Sequence, residues 1–526
     1  MSLHKRVLIA NRGEIAIRIA KAAKALGMES IAVYAPVDAL SLHTRVTTQA
    51  QAIGQDGGQD GGQDAVAAYL DGAALIRIAK EMHCDCIHPG YGFLSENTNF
   101  ATMCAAEDIA FIGPSASALQ LFGDKVTARA LAQSCGIPVV SGSTAALNSS
   151  NEAREIANGI GYPIMLKAAA GGGGRGMRAV ASDGELVDAF ERCQSEAAAA
   201  FGDGSIFIEK LVERPRHIEV QILADTQGRT VHLHERDCSV QIRNQKVIEI
   251  APAAGLDRAL RQNMLDDAIK LAKEADYVNA GTVEFLVSPE SGDYYFIECN
   301  PRIQVEHTVT EQVTGIDLVE AQFHIAGGAS LQSLGLADQA AVGAARGYAV
   351  QARVVAQGSG TISGYKEPSG PGIRVDACGY LGYTPPPQFD PLLAKLICTA
   401  SSGGTLVAAV ERTLAAMDEF HIGGLPTNLA QLRAILEKPE VGGGDARTSL
   451  MAEHPELSDI TALSSGGEPV SFLEQQAATL IAPGAGQAWA RFESNLPPLE
   501  IADNATGLEC PMGGSILELS LVEGAQ

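Results

Sequence analysis

The chain is poor in positive charge for its size. It has 38 lysines and arginines against 62 aspartates and glutamates, a formal net charge of −24 over 526 residues. That balance argues for solubility and against nucleic acid or an anionic membrane as a main partner. No apolar run approaches membrane-spanning length. Near the amino end, Lys5-Arg6 precedes only Val7-Leu-Ile-Ala10 before polar Asn11, which is too short for a secretory signal. The 10 cysteines are scattered, and Cys84-Asp-Cys86 is too tight for the usual paired metal spacing. Thiols without a disulfide framework suggest a reducing, cytoplasmic compartment.

What is present begins with a doubly wound pattern. Residues 6–10 read as a buried strand, Asn11-Arg-Gly13 as a turn, 14–26 as a helix and 31–34 as a second strand. The turn lacks Gly-x-Gly-x-x-Gly, so Gly13 is read as making a tight turn only. Residues 54–64 repeat Gly-Gln-Asp with Gly-Gly spacers and read as a surface loop. His88, ahead of Pro89-Gly-Tyr-Gly92, is read as a hydrogen-bonded structural histidine. A helix is expected over 125–134, and a first domain boundary near 121–140. A strand over 163–167 ends in Lys167 and runs into Gly171-Gly-Gly-Gly174-Arg-Gly176. Such a loop lets backbone N–H groups approach phosphates, although no Gly-Lys-Ser/Thr follows it. Residues 205–212 read as a further strand and exit. The polar residues of His217-Ile-Glu219-Val-Gln221 alternate, so they share one strand face. Glu235-Arg-Asp-Cys-Ser-Val-Gln241-Ile-Arg243-Asn-Gln-Lys246 is dense in polar groups, either as a solvated loop or as the lining of a site.

The most informative stretch is a hairpin. Residues 281–287 and 294–300 are apolar, β-prone runs separated by Pro289-Glu-Ser-Gly-Asp293. Folding symmetrically about Ser291 sets Glu284 opposite Glu298, with Asn300 two residues further along the same face. Like charges opposite one another destabilise a sheet. A divalent cation removes that penalty, because magnesium favours carboxylate oxygens and bridges to phosphates. The competing reading is two glutamates on a solvated edge. Pro301 biases Asn300 towards an extended conformation. If the chain stays extended, Arg302, Gln304 and Glu306 point the same way.

Together these residues resemble biotin carboxylase. The resemblance is carried by Lys125, Lys167 with its glycine loop, Glu235-Arg-Asp-Cys-Ser239, Asn244-Gln-Lys246, Glu284 and the run from Glu298 to Glu306. Ala10-Asn-Arg-Gly-Glu14 and His88-Pro-Gly-Tyr-Gly-Phe-Leu-Ser-Glu-Asn97 add to it. It implies an ATP-grasp fold, mixed α/β and α+β. A Rossmann-like pre-grasp domain would span 1–122, a mobile lid with its linker 123–211, and a grasp domain 212–450. It also implies ATP, magnesium or manganese, bicarbonate, and biotin presented as substrate on a carrier domain. By matching positions, Lys125 and Lys167 would contact ATP phosphates, and Gly172, Gly173, Gly174 and Met177 would belong to the closing lid loop. Glu209 would lie in the adenine-binding segment. His217, Gln241 and Asn244 match nucleotide-contact positions, although many relatives carry His in place of Asn244. Glu284 and Glu298 would bind the metal, with Asn300 beside them. Lys246, Arg302, Gln304 and Val305 would hold bicarbonate, Glu306 would be its general base, and Arg353 would steady the biotin ureido oxygen.

The chain departs from the family at Ala168-Ala-Ala170, at Ile250 where a second Glu is common, and after Arg353, where Val-Val-Ala-Gln-Gly replaces an acidic run. Residues 451–506 are linker-like in composition, and 507–526 resemble the opening of a biotinyl carrier domain. No lysine follows Lys438, so this stretch offers no amine for biotin attachment. The expectation is a piece of a longer carboxylase, with a carboxyltransferase domain elsewhere and a homodimeric or larger assembly. The short gap before the carrier-like stretch favours an acyl-CoA carboxylase. Another ATP-grasp ligase, such as a carbamoyl-phosphate synthetase half, and a catalytically dead ATP-binding scaffold are the alternatives.

Overall fold

The first strand sets the amino-terminal layer. β1 (Arg6–Ile9) is buried and pairs in parallel with β2 (Glu29–Tyr34) on one side and β4 (Cys86–His88) on the other. With β3 (Gln49–Ala52) and β5 (Ala110–Phe111) it makes a five-stranded parallel sheet, ordered β3-β2-β1-β4-β5. Gly13, at φ +64°, makes the left-handed turn after β1 and opens the helix Gly13–Ala25. The computed structural model describes residues 4–54, 64–143, 145–147, 149–168, 177–400 and 403–458. Most of the Gly-Gln-Asp repeat, Gly172, Gly173, Gly174 and the carrier-like stretch lie outside the described residues.

A small antiparallel sheet, β7-β6-β8, follows: β6 (Ile164–Ala168), β7 (Met177–Val180) and β8 (Ile206–Lys210). Helices Ser150–Ile160 and Asp183–Phe201 accompany it. Ala153, Ile164, Leu166, Phe190, Ile206 and Ile208 form its own core. By contrast, Ala128 and Ala132, from the helix Lys125–Ser134, pack into the core of the next sheet.

That third sheet has eight antiparallel strands in the order β13-β12-β9-β10-β11-β14-β17-β16. They are β9 (Arg216–Ala224), β10 (Thr230–Ile242), β11 (Gln245–Ala251), β12 (Asn279–Val287), β13 (Tyr294–Asn300), β14 (Ala349–Val355), β16 (Ile373–Ala377) and β17 (Leu392–Thr399). β15 (Gly364–Lys366) pairs separately with β18 (His421–Gly423). The polar run at 235–246 is no solvated loop. Glu235, Arg236, Asp237 and Ser239 are buried in β10. Arg243 (φ +51°) and Asn244 (φ +64°) form the two-residue turn into β11, where Ile242 pairs with Gln245. Positive φ at both positions is the primed turn that suits the twist of a hairpin, and asparagine tolerates it.

The expected hairpin register is found: Glu284 opposite Glu298 and Thr282 opposite Asn300. Towards the turn it slips by one, with Phe285 opposite Phe296, so Ile297 is a bulge residue. The extended run past Asn300 is not found. The strand ends there, Arg302 N–H turns back to Asn300 C=O at 2.9 Å, and His307 N–H donates to Gln304 C=O at 3.2 Å. His88 is structural as expected: fully buried, it accepts Gly90 N–H at 3.1 Å, and burial lowers its pKa to about 3. In residues 451–458, expected as the start of a linker, Leu457 is buried instead; with Leu450 it joins the core beneath the helix Leu406–Glu419. Among the described residues all nine cysteines are free and buried, and no helix is long and apolar enough to cross a membrane.

Because the small sheet has its own core, damage to it should stay local. Phe190→Ala removes a buried ring, at a cost of about 3–5 kcal/mol. Hydrogen exchange of β6–β8 amides is expected to accelerate while that of β9–β14 amides stays at the wild-type rate. Equal acceleration in both would show a single cooperative unit.

Candidate active site

Strand register brings a row of charge across the large sheet. Glu298 lies opposite Glu284, Glu284 opposite Glu219, and Glu219 opposite Arg236. Directly opposed residues share a face, and opposed like charges repel. Three adjacent carboxylates therefore demand cations. Lys246 supplies the central one: its Nζ lies 2.6 Å from Glu219, 2.8 Å from Glu284 and 2.7 Å from Glu306. An ammonium has three donors, and each is used. Glu284 Oε1 also accepts from Asn300 Nδ2 and Gln304 Nε2, both at 2.9 Å, and His217 Nε2 is 2.8 Å from its Oε2. Lys125 Nζ stands 3.3 Å from Glu298.

Arg236 ends this row on β10, fully buried with its fork filled. It donates to Glu219 at 2.5 Å, to Gln221 at 2.7 Å, to Thr310 and Gln304 at 2.9 Å, and to Thr282 at 3.1 Å. At the far end Arg353 joins Glu249 at 2.5 Å and Glu306 at 3.1 Å. Glu306, the residue that caps the start of the helix His307–Thr314, is thus held between Lys246 and Arg353.

These contacts set the protonation states. Burial would raise the Glu306 pKa, but Lys246 and Arg353 outweigh it and hold the carboxyl well below its usual range. Glu284 behaves alike: burial opposes, and Lys246 and His217 prevail. For Lys246 burial favours loss of the proton, yet Glu219, Glu284 and Glu306 hold it on. Glu249 goes the other way, because burial and Glu306 exceed the pull of Arg353. Glu306 is therefore ionised but weakly basic. Turning either cation towards an anionic substrate would raise its basicity.

The donor set suits a hard divalent cation. Glu284 and Glu298 offer carboxylate oxygens on neighbouring strands, and Asn300 an amide oxygen that here accepts from Arg302. Lys246 and Lys125 already place positive charge against those carboxylates, and His217 sets a ring nitrogen against Glu284. His217, Glu219 and Glu284 also bring one ligand atom each within 4.8 Å of one another.

The remaining expected residues fall into two groups. Gln241 Nε2 is 2.9 Å from His217 Nδ1, so it orients the ring beside Glu284, and Asn244 occupies the β10–β11 turn nearby. Val305 C=O accepts from the buried Lys395 at 3.2 Å. Lys167 lies on the small sheet, opposite Met177, with its ammonium on Glu209. Arg302 does not join Gln304 and Glu306. It turns to Glu96 at 2.5 Å and to Asn300 Oδ1 at 2.9 Å, because the chain bends after Pro301. Four structural partners carry no role in the sequence reading: Arg236, Glu249, Glu96 and Lys395. Glu219 was visible only as one polar position of an alternating strand. The density of charge in 235–246 was the available signal for Arg236, since that many polar groups inside apolar strands need mutual partners.

Lys246→Met would strand Glu219, Glu284 and Glu306. The expected destabilisation is about 3–5 kcal/mol near pH 8. Removing the cation raises the stranded carboxyl pKa values, and groups with raised pKa values recover stability on protonation. The loss should therefore shrink at pH 5. Denaturant titration at both pH values checks this, and equal losses would assign Lys246 a packing role only.

Three family descriptions match in succession: "Biotin carboxylase, N-terminal domain" over residues 3–119, "Carbamoyl-phosphate synthase L chain, ATP binding domain" over 124–334, and "Biotin carboxylase C-terminal domain" over 346–453. The biotin carboxylase of Nostoc sp. is 45% identical over 456 residues, covering 85% of this chain and 98% of that protein. Human mitochondrial pyruvate carboxylase is 46% identical over 462 residues, covering 86% of this chain; the chain spans only 38% of its length. Among solved structures, the biotin carboxylase domain of Hydrogenobacter thermophilus 2-oxoglutarate carboxylase, a dimer in complex with MgADP, ADP and bicarbonate, is 40% identical. It aligns with a TM-score of 0.82 over 87% of this chain and 99% of that one. Campylobacter jejuni biotin carboxylase in a β-γ-ATP complex is 39% identical, with a TM-score of 0.81 over 86% of this chain and 99% of that one. On this evidence, and with an ATP-grasp architecture in place, the chain belongs to the biotin carboxylase family of ATP-dependent carboxylating ligases.

Proposed function

We propose that this chain carries out the first half-reaction of a biotin-dependent carboxylase: ATP- and bicarbonate-dependent carboxylation of biotin presented on a carrier domain. The observation that carries this reading is Glu306, an ionised, buried carboxylate flanked by Lys246 at 2.7 Å and Arg353 at 3.1 Å. A base beside two cations suits an anionic substrate that must lose a proton. Lys246, Arg302, Gln304 and Val305 are assigned to bicarbonate. Lys125, Lys167 and the glycine loop with Met177 are assigned to the ATP phosphates, and Glu209, His217, Gln241 and Asn244 to the rest of the nucleotide site. Glu284 and Glu298, with Asn300, would hold magnesium or manganese, which supplies charge neutralisation to the phosphates when bound.

In the proposed sequence Glu306 takes the bicarbonate proton and the bicarbonate oxygen attacks the ATP γ-phosphorus, giving carboxyphosphate and ADP. Phosphoryl transfer needs positioning and charge more than covalent help, which fits a site built of lysines, arginines and carboxylates. Carboxyphosphate then yields carbon dioxide and phosphate, the phosphate takes the biotin N1′ proton, and N1′ attacks carbon dioxide. Arg353, permanently charged, would face the ureido oxygen as negative charge develops there.

We assign residues 1–122 to the pre-grasp domain, 123–211 to the lid with its connecting helix, and the remainder through 458 to the grasp domain. The stretch beyond is assigned to a linker and the start of a carrier domain, with carboxyltransferase supplied elsewhere and a dimeric assembly. For the final acceptor the short carrier gap supports an acyl-CoA. The pyruvate carboxylase relatives support a 2-oxo acid as the second reading. Assaying the full-length carboxylase with acetyl-CoA, propionyl-CoA and pyruvate separates the two.

Phosphate release from ATP with bicarbonate, with and without free biotin, tests the half-reaction. Stimulation by biotin supports it, stimulation by ammonia would indicate a carbamoyl-phosphate type of ligase, and no turnover would indicate a scaffold. Glu298→Gln is expected to lower turnover by about 100-fold; near wild-type rates at saturating magnesium would remove Glu298 from the site. Glu306→Gln should retain nucleotide binding and lose about 100-fold or more of bicarbonate-dependent cleavage. Arg353→Ala should spare much of that cleavage and impair transfer to biotin. Equal loss of both activities would mean that Arg353 positions the whole site.

A further inference from the structure

One buried charge cluster holds an arginine that has no part in the chemistry above. The helix Lys125–Ser134 carries two cations one turn apart, on a common face. Lys125 reaches Glu298 on the large sheet. Arg129 reaches the small sheet: Nη1 donates to Glu209 Oε1 at 2.7 Å, and Nη2 donates to the Val140 carbonyl. Glu209 is only 7% exposed, and its other oxygen accepts from Lys167 Nζ. A single carboxylate of the small sheet thus holds two cations.

Val140 lies where the chain crosses between sheets. Just before it, Phe296 N–H donates to Pro138 C=O at 2.8 Å and Val139 bridges to Phe296 of β13. Just after it, Lys210 N–H donates to Ser141 C=O at 2.7 Å and Ser143 N–H to Ile208 C=O at 2.8 Å, both on β8. Gly142 passes so near that an added Cβ would sit 2.1 Å from the Ile208 oxygen. Arg129 therefore ties the crossing segment, the connecting helix and β8 together with one guanidinium.

We infer that Arg129 is a positioning residue for ATP: it keeps Glu209 paired when Lys167 leaves that carboxylate for the nucleotide phosphates. The inference rests on the assignment of Lys167 to phosphate made above. A buried carboxylate without a partner is costly. With Arg129 present, Lys167 can move and Glu209 stays neutralised. Without it, the same movement strands Glu209, so the lysine is held back and the nucleotide is bound less well. Arginine suits the task because its planar fork reaches the carboxylate and a carbonyl together and its charge is permanent.

The test uses the full chain, with calorimetric titration of a non-hydrolysable ATP analogue and steady-state bicarbonate-dependent ATP cleavage. Arg129→Ala is expected to weaken analogue binding and raise the KM for ATP by about tenfold, or about 1.4 kcal/mol. kcat should change by less than about twofold, because the interaction is lost on binding and not in the transition state. Arg129→Lys keeps the charge and should bind within about threefold of wild type, a rescue that a merely structural role would not give. Unchanged affinity in Arg129→Ala, or weakened affinity that Arg129→Lys does not restore, overturns the inference. If Arg129→Ala fails to fold, Arg129→Gln, which keeps hydrogen bonding without the charge, takes its place, and affinity within about threefold of wild type there is refuting. Lys167→Ala separates the two levels: if it leaves analogue affinity unchanged, the phosphate assignment itself fails; if it weakens affinity while Arg129→Ala does not, only the role of Arg129 fails.

Discussion

The site depends on one ammonium against three carboxylates. Sheet register places Glu298, Glu284 and Glu219 side by side, and the turn after Gln304 delivers Glu306 to the same spot. Lys246 meets three of these four charges at 2.6–2.8 Å. A buried charge cluster gains little net stability over apolar packing, whereas removing one member costs a great deal. The arrangement is better understood as a preset field: positive charge where an anion must sit, and ionised carboxylates where a cation or a proton must go. The low basicity of Glu306 follows from the same contacts. It is a base that strengthens as Lys246 and Arg353 transfer their donors to substrate.

That field is held in place by partners around the carboxylates. Arg236, opposite Glu219 in the row, makes five hydrogen bonds, one to Glu219 and others that include Thr310 and Gln304 from the segment that carries Glu306. Lys395, fully buried, joins Val305 C=O to Glu14 of the first helix, whose other oxygen accepts from Tyr91 in the loop after β4. Glu96, from the same loop, takes Arg302. The amino-terminal layer therefore supplies counter-charges to the large sheet. The small sheet is different, with a core of its own and Lys167 paired within it. Residues that share a rigid field sit together on the large sheet, and the lysine assigned to a moving nucleotide contact sits on the separate layer.

Legibility from sequence followed how local each constraint was. The Glu284–Glu298 pairing could be read because a Pro/Gly/Ser/Asp turn fixes the hairpin axis and strand period does the rest. The Ile297 bulge could not, since a one-residue slip leaves no mark in composition. The strip expected from Arg302 to Glu306 failed at its first residue: Pro301 constrains the residue before it, not those after, and Arg302 turns back to Asn300. His217, Glu219 and Gln221 were legible as one face, but not which charges they would meet, because Arg236 and Lys246 arrive through register across neighbouring strands. Arg129 gave no signal at all. Its partners, Val140 and Glu209, are 11 and 80 residues away, and a lone arginine on a helix reads as a solvated face.

The departures from the family pattern show the same logic. Ile250 stands where the family resemblance leads one to expect a second Glu, one residue after Glu249, which holds Arg353. Alternation along β11 sends Ile250 to the opposite face, where it is 3% exposed and packs with Val350 and Leu396. An acid there would need a partner within an apolar cluster; an isoleucine does not, and Glu249 keeps its place on the charged face. The change therefore leaves the Arg353–Glu249–Glu306 chain untouched. In this chain the face on which a side chain lies decides what meets it, and Glu249 meets Arg353 whatever stands at 250.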